Sequence, residues 1–109
     1  MNETITITRA EYDALREAAE DLADILAYDR AMAKNQESFP SEIARRLIDG
    51  ESPLRVFREY RGLTQAALSE RAGVNRVQIA DIEAGRKSGS ITTIKKLANA
   101  LGLTVDDLI

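Results

Sequence analysis

Residues 63–85 read LTQAALSERAGVNRVQIADIEAG, and this stretch predicts two short helices joined at a sharp corner. Thr64 can accept a hydrogen bond from a free backbone N–H and so cap the first helix, in which small and apolar side chains recur at helical spacing. Gly73 ends that helix, because glycine adopts the left-handed conformation without the steric cost that other residues incur. Val74 then fills the corner between the two helices.

The second helix is expected to begin after Asn75, a good capping residue, and to stop at Gly85. Ile79 and Ile82 lie three residues apart and form its buried face. Two short helices with a glycine corner and a polar outer face on the second are the layout of a helix-turn-helix, whose second helix enters the major groove of DNA. The side chains expected on that outer face are Arg76, Val77, Gln78, Ala80 and Asp81.

Residues 53–109 resemble the Xre-type, phage-repressor-like helix-turn-helix family. The resemblance lies in four motifs that agree in order and spacing: LTQ at 63–65, AGV at 72–74, IEAG at 82–85 and LANALGLTVDDL at 97–108. Proteins of this family have five short helices around one core, so the resemblance implies an all-α, five-helix domain. It implies a first helix that is capped by Ser52 and ends near Tyr60. The fourth helix would be capped by Ser90 and end at Leu101, and the fifth would be capped by Thr104 and run to Ile109.

Base contacts are expected from the outer face of the second helix. Arg76 is the best candidate, because a guanidinium can bond both acceptors of a guanine in the major groove. Gln78 can read a base or donate to a phosphate, and Val77 and Ala80 can touch a thymine methyl group. Asp81 can accept from a cytosine amine, although phosphates repel it and a neutral polar residue is more usual there. The plain alternative for all five residues is a solvated helix face.

Phosphate contacts are expected from the starts of the two helices and from the cations that follow the second one. The resemblance implies that Gln65 meets a phosphate at the start of its helix, where free N–H groups favour anions. The full expected set is Thr64, Gln65, Asn75, Arg86 and Lys87. The resemblance further implies that Glu83 pairs with Arg58 on the first helix of the domain, because a carboxylate on an inner face must be partnered.

Composition limits the function classes that are open to this chain. Its 109 residues are 44% hydrophobic and 5% aromatic, enough for one compact domain of roughly 60 residues with an appendage. The sequence has no cysteine and no histidine, which excludes disulfides, thiolate or imidazole metal sites and the usual general base of hydrolases. We therefore expect no enzyme, no metal and no cofactor. No apolar run approaches the ~20 residues of a membrane span and no leader is evident, so a cytoplasmic protein is expected.

The net charge of −3 is unevenly distributed along the chain. Residues 1–50 carry 6 basic and 11 acidic side chains, whereas residues 54–105 carry 9 basic and 4 acidic ones, a net charge of +5. Because phosphate attraction supplies most non-specific DNA affinity, the local charge matters more than the total. The asymmetry predicts an acidic N-terminal arm at residues 1–50 and a basic helix-turn-helix domain at residues 51–109.

The N-terminal arm is expected to form a short strand at 4–8, a long helix at 9–34 and a short helix at 41–49. Thr8 and Glu11 have the spacing of a capping box for the long helix. Between Glu11 and Asp29 seven residues are acidic and one is basic. An apolar stripe with heptad-like steps follows the same helix and consists of Tyr12, Leu15, Ala19, Leu22 and Leu26. It can cover the helix-turn-helix domain, a second copy of the chain or a basic partner.

Dimerisation is expected, because one short helix contacts too little DNA to be specific and two related by a two-fold axis read a palindrome. Two surfaces are candidates, and the sequence does not decide between them. One is the apolar stripe of the long helix. The other is the C-terminal set Leu103, Val105, Leu108 and Ile109.

The layout of an acidic arm ahead of an Xre-type domain resembles the antitoxins of bacterial type II toxin–antitoxin modules. That resemblance implies a repressor that binds double-stranded operator DNA, regulates its own operon and neutralises a small basic toxin of RelE or ParE type through its arm. Two alternatives explain the same residues. One is a stand-alone repressor whose arm only dimerises, and the other is a protein-interaction module that has lost DNA binding.

Overall fold

The fold is described from a computed structural model for residues 4–33 and 37–109. These residues form six α-helices and one 3-10 turn, and none of them forms a strand. The all-α class is therefore confirmed for this part of the chain. The elements are α1 (Arg9–Ala33), α2 (Ser41–Ile48), α3 (Pro53–Tyr60), α4 (Gln65–Ala72), α5 (Arg76–Glu83), α6 (Ile91–Leu101) and the 3-10 turn (Asp106–Leu108).

The strand predicted at residues 4–8 is wrong. These residues have no regular structure, and Ile5 and Ile7 are exposed. A strand is stable only beside a partner strand, and the rest of the described chain is helical. Thr8 still caps α1 as expected, because its Oγ1 accepts a hydrogen bond from the backbone N–H of Glu11 at 3.1 Å. Residue 34, the predicted end of the long helix, lies outside the described residues, and the predicted short helix at 41–49 ends at Ile48.

The side chains predicted to cap the helices of the helix-turn-helix domain do so. Gly73 stands after α4 with a φ of 68°, the left-handed conformation expected of it. Each cap oxygen accepts a hydrogen bond from a backbone N–H of the following turn: Ser52 from Arg55, Thr64 from Ala67, Asn75 from Val77 and Ser90 from Thr93. Local sequence signals therefore set where these four helices begin.

The fifth helix predicted after Thr104 is a single 3-10 turn instead. Thr104 donates its backbone N–H to Asp107 Oδ2 at 3.1 Å, and Asp107 donates its own to Thr104 Oγ1 at 3.2 Å. The expected cap is therefore present. However, the side chains of Val105 and Leu108 point into the core on both sides of the turn, which favours the tighter winding.

One hydrophobic core joins α3, α4, α5, α6 and the C-terminal turn. Burying each large apolar side chain contributes about 1.5–3 kcal/mol. Ile79 is one of the fully buried side chains, so packing in the core fixes the face of α5 that carries it. The largest fully buried side chains are Leu54, Val56, Leu68, Ile79, Leu97, Leu101, Leu103 and Val105.

Helix α1 attaches to this domain near its C-terminal end and has no fully buried residue. The Tyr28 hydroxyl donates to the carbonyl oxygen of Leu103 at 3.1 Å. The Asp29 carboxylate accepts from the backbone N–H of Val105 at 2.7 Å and of Asp106 at 3.2 Å. Asp29 thus caps the 3-10 turn from another element, where free N–H groups favour a negative charge. Burial, and secondarily the charge of Asp29, raise the pKa of Tyr28.

A second link joins the arm to the ends of α3 and α6. Arg61 donates to the Glu37 carboxylate through both terminal nitrogens, at 2.9 and 2.7 Å, and through Nε to the Leu101 carbonyl oxygen at 3.0 Å. The guanidinium also lies 5.9 Å from the ring centre of Phe39 and 5.5 Å from that of Tyr60. Glu37 and Phe39 are therefore held on the domain by charge and by aromatic contact. Within residues 4–33 and 37–109, no helix has the length and apolar character needed to cross a membrane.

We expect Asp29→Ala to release α1 from the C-terminal turn. Loss of a helix-cap carboxylate costs about 1 kcal/mol, and two backbone N–H groups lose their acceptor. Hydrogen exchange at Val105 and Asp106 should accelerate, and the melting temperature should fall. Asp24→Ala, which removes the same charge from an exposed position of α1, is the control. Equal exchange rates in the two variants would contradict the capping role.

Acid should weaken the link through Glu37. Hydrogen bonds from Arg61, and the attraction of its charge, hold the pKa of Glu37 below its ordinary value of 4.5. Because the folded-state pKa is lowered, the pair stabilises the fold above pH 4.5, and this stabilisation is lost as the pH falls through the folded-state pKa. Glu37→Gln should therefore melt below the parent at neutral pH and converge with it in acid. Glu17→Gln, on the exposed face of α1, should show no such convergence. A constant difference at all pH values would count against the pair.

Candidate nucleic-acid interface

The exposed part of α5 is its first turn. Arg76, Val77 and Gln78 are exposed, and 66% of the Val77 surface is open to solvent, a large fraction for an apolar side chain in mid-domain. Ile79 follows directly and is fully buried, so it anchors the turn that carries these three residues. Ala80 is half-buried. The outer face is therefore narrower than the sequence predicted and concentrates at the helix N-terminus.

Asp81 does not point its carboxylate freely outward. Its side chain is 16% exposed and accepts from Arg86 Nε at 2.9 Å, with Lys87 Nζ at 3.8 Å. Its carbonyl oxygen also accepts the backbone N–H groups of Arg86 and Lys87. Asp81 therefore holds the two predicted phosphate-binding cations at the end of α5. The sequence reasoning missed this contact, although an acid five residues before an arginine across a helix end was a signal for it.

Glu83 is the last residue of α5, and its carboxylate takes part in a hydrogen-bond network that joins α3, α4 and α5. Arg58 of α3 donates to its two carboxylate oxygens at 2.7 and 2.9 Å, and also to the Leu63 carbonyl oxygen at 2.7 Å. The side chains of Arg58 and Glu83 are only 12% and 5% exposed. Gln65, at the start of α4, donates to the same carboxylate at 3.3 Å. Hydrogen bonds to Glu83 raise the pKa of Arg58 further, so the arginine stays charged.

The start of α4 and the recognition helix α5 share one surface. A shallow depression of about 270 Å³ lies between α3, α4 and α5, and both Gln65 and Ala80 line it. Thr64, the residue before Gln65, is exposed, and so is Asn75, which caps the start of α5. The predicted phosphate contacts at the helix starts are therefore next to the predicted base contacts.

Gly89 shapes the loop after α5, and sequence reasoning did not single it out. Its φ is 76°, and a Cβ there would lie 2.9 Å from Ile82 Cδ1 and 3.3 Å from Ile94 Cδ1. Only glycine lets the loop pass this closely over the half-buried Ile82. The signal in the sequence was a glycine directly before the Ser90 cap. The loop that carries Arg86 and Lys87 is thus held at both ends.

Several basic side chains of the domain already form ion pairs within the chain, so fewer positive charges are free to bind DNA than its net charge suggests. Five of its nine basic residues form ion pairs: Arg55 with Glu59, Arg58 with Glu83, Arg61 with Glu37, and both Arg86 and Lys87 with Asp81. Arg76 forms no ion pair within the part of the chain that the structure describes, and it is exposed at the start of α5. Arg76 is therefore the cation best placed to meet an external anion from this helix.

This geometry agrees with the comparison of the sequence with known families. Residues 54–108 match the model of a helix-turn-helix family. The chain belongs to the Xre-type helix-turn-helix family. In the family's terms, α4 and α5 are the helix-turn-helix pair and α5 is its recognition helix.

Three relatives match about half of the chain. An immunity repressor protein of Bacillus phage phi105 is 38% identical over 56 residues, which are 51% of this chain and 39% of that protein. The HTH-type transcriptional regulator DdrOP3 of Deinococcus deserti is 36% identical over 56 residues, 51% of this chain and 43% of that protein. An uncharacterized HTH-type transcriptional regulator of Methanothermobacter thermautotrophicus is 45% identical over 49 residues, 45% of this chain and 71% of that protein.

The matches to the phage and Deinococcus relatives span about two fifths of each of those proteins. No solved structure matches the chain significantly. The matching family and the names of its relatives, a repressor and transcriptional regulators, confirm the prediction that this helix-turn-helix protein is not an enzyme.

The C-terminal residues predicted to dimerise are mostly core residues of the helix-turn-helix domain. Leu103, Val105 and Leu108 are buried within the chain itself, and Ile109 alone of the four is exposed, at 73%. The sequence could not separate these roles, because an apolar residue needed by the core looks the same as one needed by a partner. The apolar stripe of α1, in contrast, stays exposed.

We expect Glu83→Ala to destabilise the helix-turn-helix domain by about 3–5 kcal/mol, because the buried guanidinium of Arg58 then lacks its partner. Urea unfolding should show a lower midpoint with little change in base preference among the molecules that remain folded. Glu70→Ala removes an exposed carboxylate from α4 and is the matched control. An unchanged midpoint for Glu83→Ala would contradict a structural role for the pair.

Proposed function

We propose that this chain is a sequence-specific DNA-binding transcription regulator that acts as a repressor. The observation that carries the proposal is the exposed first turn of α5, with Arg76, Val77 and Gln78 presented from a helix that Ile79 and Glu83 anchor from below. In helix-turn-helix proteins the N-terminal residues of the recognition helix contact the base edges. The names of the phage and Deinococcus relatives support the same function.

The proposed base contacts centre on Arg76. Its guanidinium would pair with a guanine, while Val77 would approach a thymine methyl group and Gln78 a base or a phosphate. Ala80 is half-buried and would contribute only a close apolar contact. Asp81 would act on DNA indirectly, because its carboxylate is engaged by Arg86 and Lys87.

The proposed phosphate contacts surround this helix. Thr64 and Gln65 stand at the start of α4, and Asn75 stands at the start of α5, where helix dipoles favour an anion. Arg86 and Lys87 follow the end of α5, and both are exposed. These contacts would set the register of α5 in the groove without reading sequence.

A gel-shift assay on the DNA upstream of the coding region tests the proposal at two salt concentrations. We expect a band that a scrambled fragment of equal length does not give and that weakens steeply with salt. Equal binding to the scrambled fragment, or binding that does not weaken as the salt concentration rises, would contradict the proposed repressor function. Absence of any binding would favour the alternative of a protein-interaction module that has lost DNA contact.

The narrower function of an antitoxin is our second candidate, and the outer face of α1 favours it. Asp13, Glu17, Glu20 and Asp24 are exposed there and would attract a small basic protein such as a RelE- or ParE-type toxin. The test is co-expression with the neighbouring gene. A small basic product that co-purifies, and that is released by reversing these four charges, would support the antitoxin role. A neighbour that does not bind would contradict it.

We expect Arg76→Ala to cost about 1–3 kcal/mol of specific binding, with relaxed preference at one guanine position. Non-specific affinity should change far less. Arg9→Ala removes the same charge from the far end of α1 and should leave specific binding unchanged. Competition gel shifts with single-base operator variants measure the difference. A uniform loss over all sequences would assign Arg76 to a phosphate.

We expect Asp81→Asn to raise DNA affinity for all sequences. The substitution removes a negative charge beside the phosphates and frees the charges of Arg86 and Lys87, while their backbone hydrogen bonds to the residue 81 carbonyl remain. The slope of affinity against salt should steepen by about one unit. Glu70→Gln on α4 controls for the charge alone. A loss of binding confined to the cognate site would instead show that Asp81 reads a base.

A further inference from the structure

The apolar stripe of α1 has no cover within the described residues. Tyr12, Leu15, Leu22 and Leu26 are between 51% and 64% exposed, and Ala19 lies between them in sequence. Their steps of three and four residues place them at the a and d positions of a heptad repeat. We propose that this stripe binds the same stripe of a second copy of the chain, so that two α1 helices form a short parallel coiled coil.

The three faces of α1 have separate surroundings. Ile25 and Tyr28 pack on the core and Asp29 caps the C-terminal turn, so this face is occupied. Except for Glu11 at g and Asp29 at d, the acidic residues of α1 stand at the b, c and f positions, on the side away from the stripe. Two copies can therefore meet along the stripe without bringing their acidic faces together. The high negative charge of the helix, which suggests repulsion at first sight, does not lie at this interface.

The charges that border the stripe select a parallel orientation. Glu11 stands at a g position and Arg16 at the following e position, and in a parallel coil these positions face each other across the pair. Each copy would thus pair its Glu11 with Arg16 of the other. In an antiparallel coil with full overlap, Arg9 of one copy would face Arg30 of the other, twice. The contact of Arg16 with Glu20 in its own helix is long, at 3.6 Å, and exposed, so it competes weakly.

The same stripe continues onto the helix-turn-helix domain. Leu22 and Leu26 line a groove of about 610 Å³ whose opposite wall includes the exposed Ile109. Asp106 and Asp107 also line this groove, near where Arg30 of the second copy would lie. Ile109, the one exposed residue of the predicted C-terminal set, therefore lies on the same groove as the end of the stripe. The groove adds apolar contact to a coil whose stripe, from Tyr12 to Leu26, is only about two heptads long.

The parallel orientation also suits two DNA half-sites. Helix α1 has 25 residues and is about 37 Å long, and the domain is attached at its C-terminal end. A parallel coil brings both domains to the same end, whereas an antiparallel coil separates them by about the helix length. This step alone rests on the proposed function, because it assumes that both recognition helices face one duplex.

Light scattering on the full chain tests the dimer without DNA. We expect a mass of two copies for the parent and of one copy for the double variant Leu15→Glu, Leu22→Glu, with unchanged melting of the domain, because both leucines are exposed. The matched control Ala27→Glu, Ala31→Glu adds the same charges to another exposed part of α1 and should remain dimeric. A monomeric parent, or a dimer that survives the leucine substitutions, would overturn the proposal.

Cysteine cross-linking tests the orientation, because the natural chain has no cysteine. In a parallel coil Ala19 faces its own copy, so Ala19→Cys should cross-link efficiently and Ala27→Cys should not. In an antiparallel coil residue 19 faces residue 22 of the other chain. Cross-linking only in a mixture of Ala19→Cys and Leu22→Cys would therefore overturn the parallel arrangement.

These measurements are separable from the test of the proposed function. Mass and cross-linking are read in the absence of DNA, so a failed gel shift would leave the dimer standing. Conversely, a parent that binds its operator while remaining a monomer would overturn the coil and leave the DNA-binding proposal intact. A monomer that takes up a basic partner along the stripe would also overturn it, since the stripe would then have another occupant.

Discussion

The ion pair between Arg58 and Glu83 fixes the recognition helix, and the proposed function depends on it. One guanidinium joins the carboxylate of α5 to the carbonyl oxygen of Leu63 before α4, and Gln65 at the start of α4 adds a further hydrogen bond. Breaking a buried pair of this kind leaves an unpartnered charge, so the pair strongly favours this one placement of α5 against α3. The first turn of α5 is therefore presented to solvent from a rigid base, which is what base reading requires.

A second constraint comes from the carboxylate of Asp29. It satisfies two backbone N–H groups of the C-terminal turn, and so it docks a mostly exposed helix through very few contacts. Most of the surface of α1 is therefore free to contact other molecules. One face holds the domain, one is apolar and exposed, and one is acidic, so the helix can serve a second copy and a basic partner at the same time.

Local signals account for what the sequence could predict. Ser52, Thr64, Asn75 and Ser90 cap the helices that they were expected to cap, because a cap acts on backbone groups only two or three residues away. The predicted pairing partners Arg58 and Glu83 are likewise in contact in the structure, although they are far apart in sequence. That inference came from the family resemblance and not from spacing.

Prediction and structure differ where the role of a residue depends on contacts outside its own helix or strand. Ile5 and Ile7 alternate as a strand does but find no partner strand among the described residues. Asp81 looked like a base-facing residue because helical periodicity cannot show that the following loop folds back to it. The apolar C-terminal residues looked available, yet Val105 closes the core. In each case periodicity does not report the neighbour that decides the role, which lies in the following loop for Asp81 and across the core for Val105.

In the proposed function, the first turn of α5 reads DNA. Backbone amide shifts of the ¹⁵N-labelled chain, followed by NMR while a fragment of its upstream DNA is added, test this most directly. We expect the largest changes at residues 75–80, with further changes at residues 64–65 and 86–87, and small changes along the first half of α1. Changes concentrated on α1 or on α6, with residues 75–80 unaffected, would contradict it.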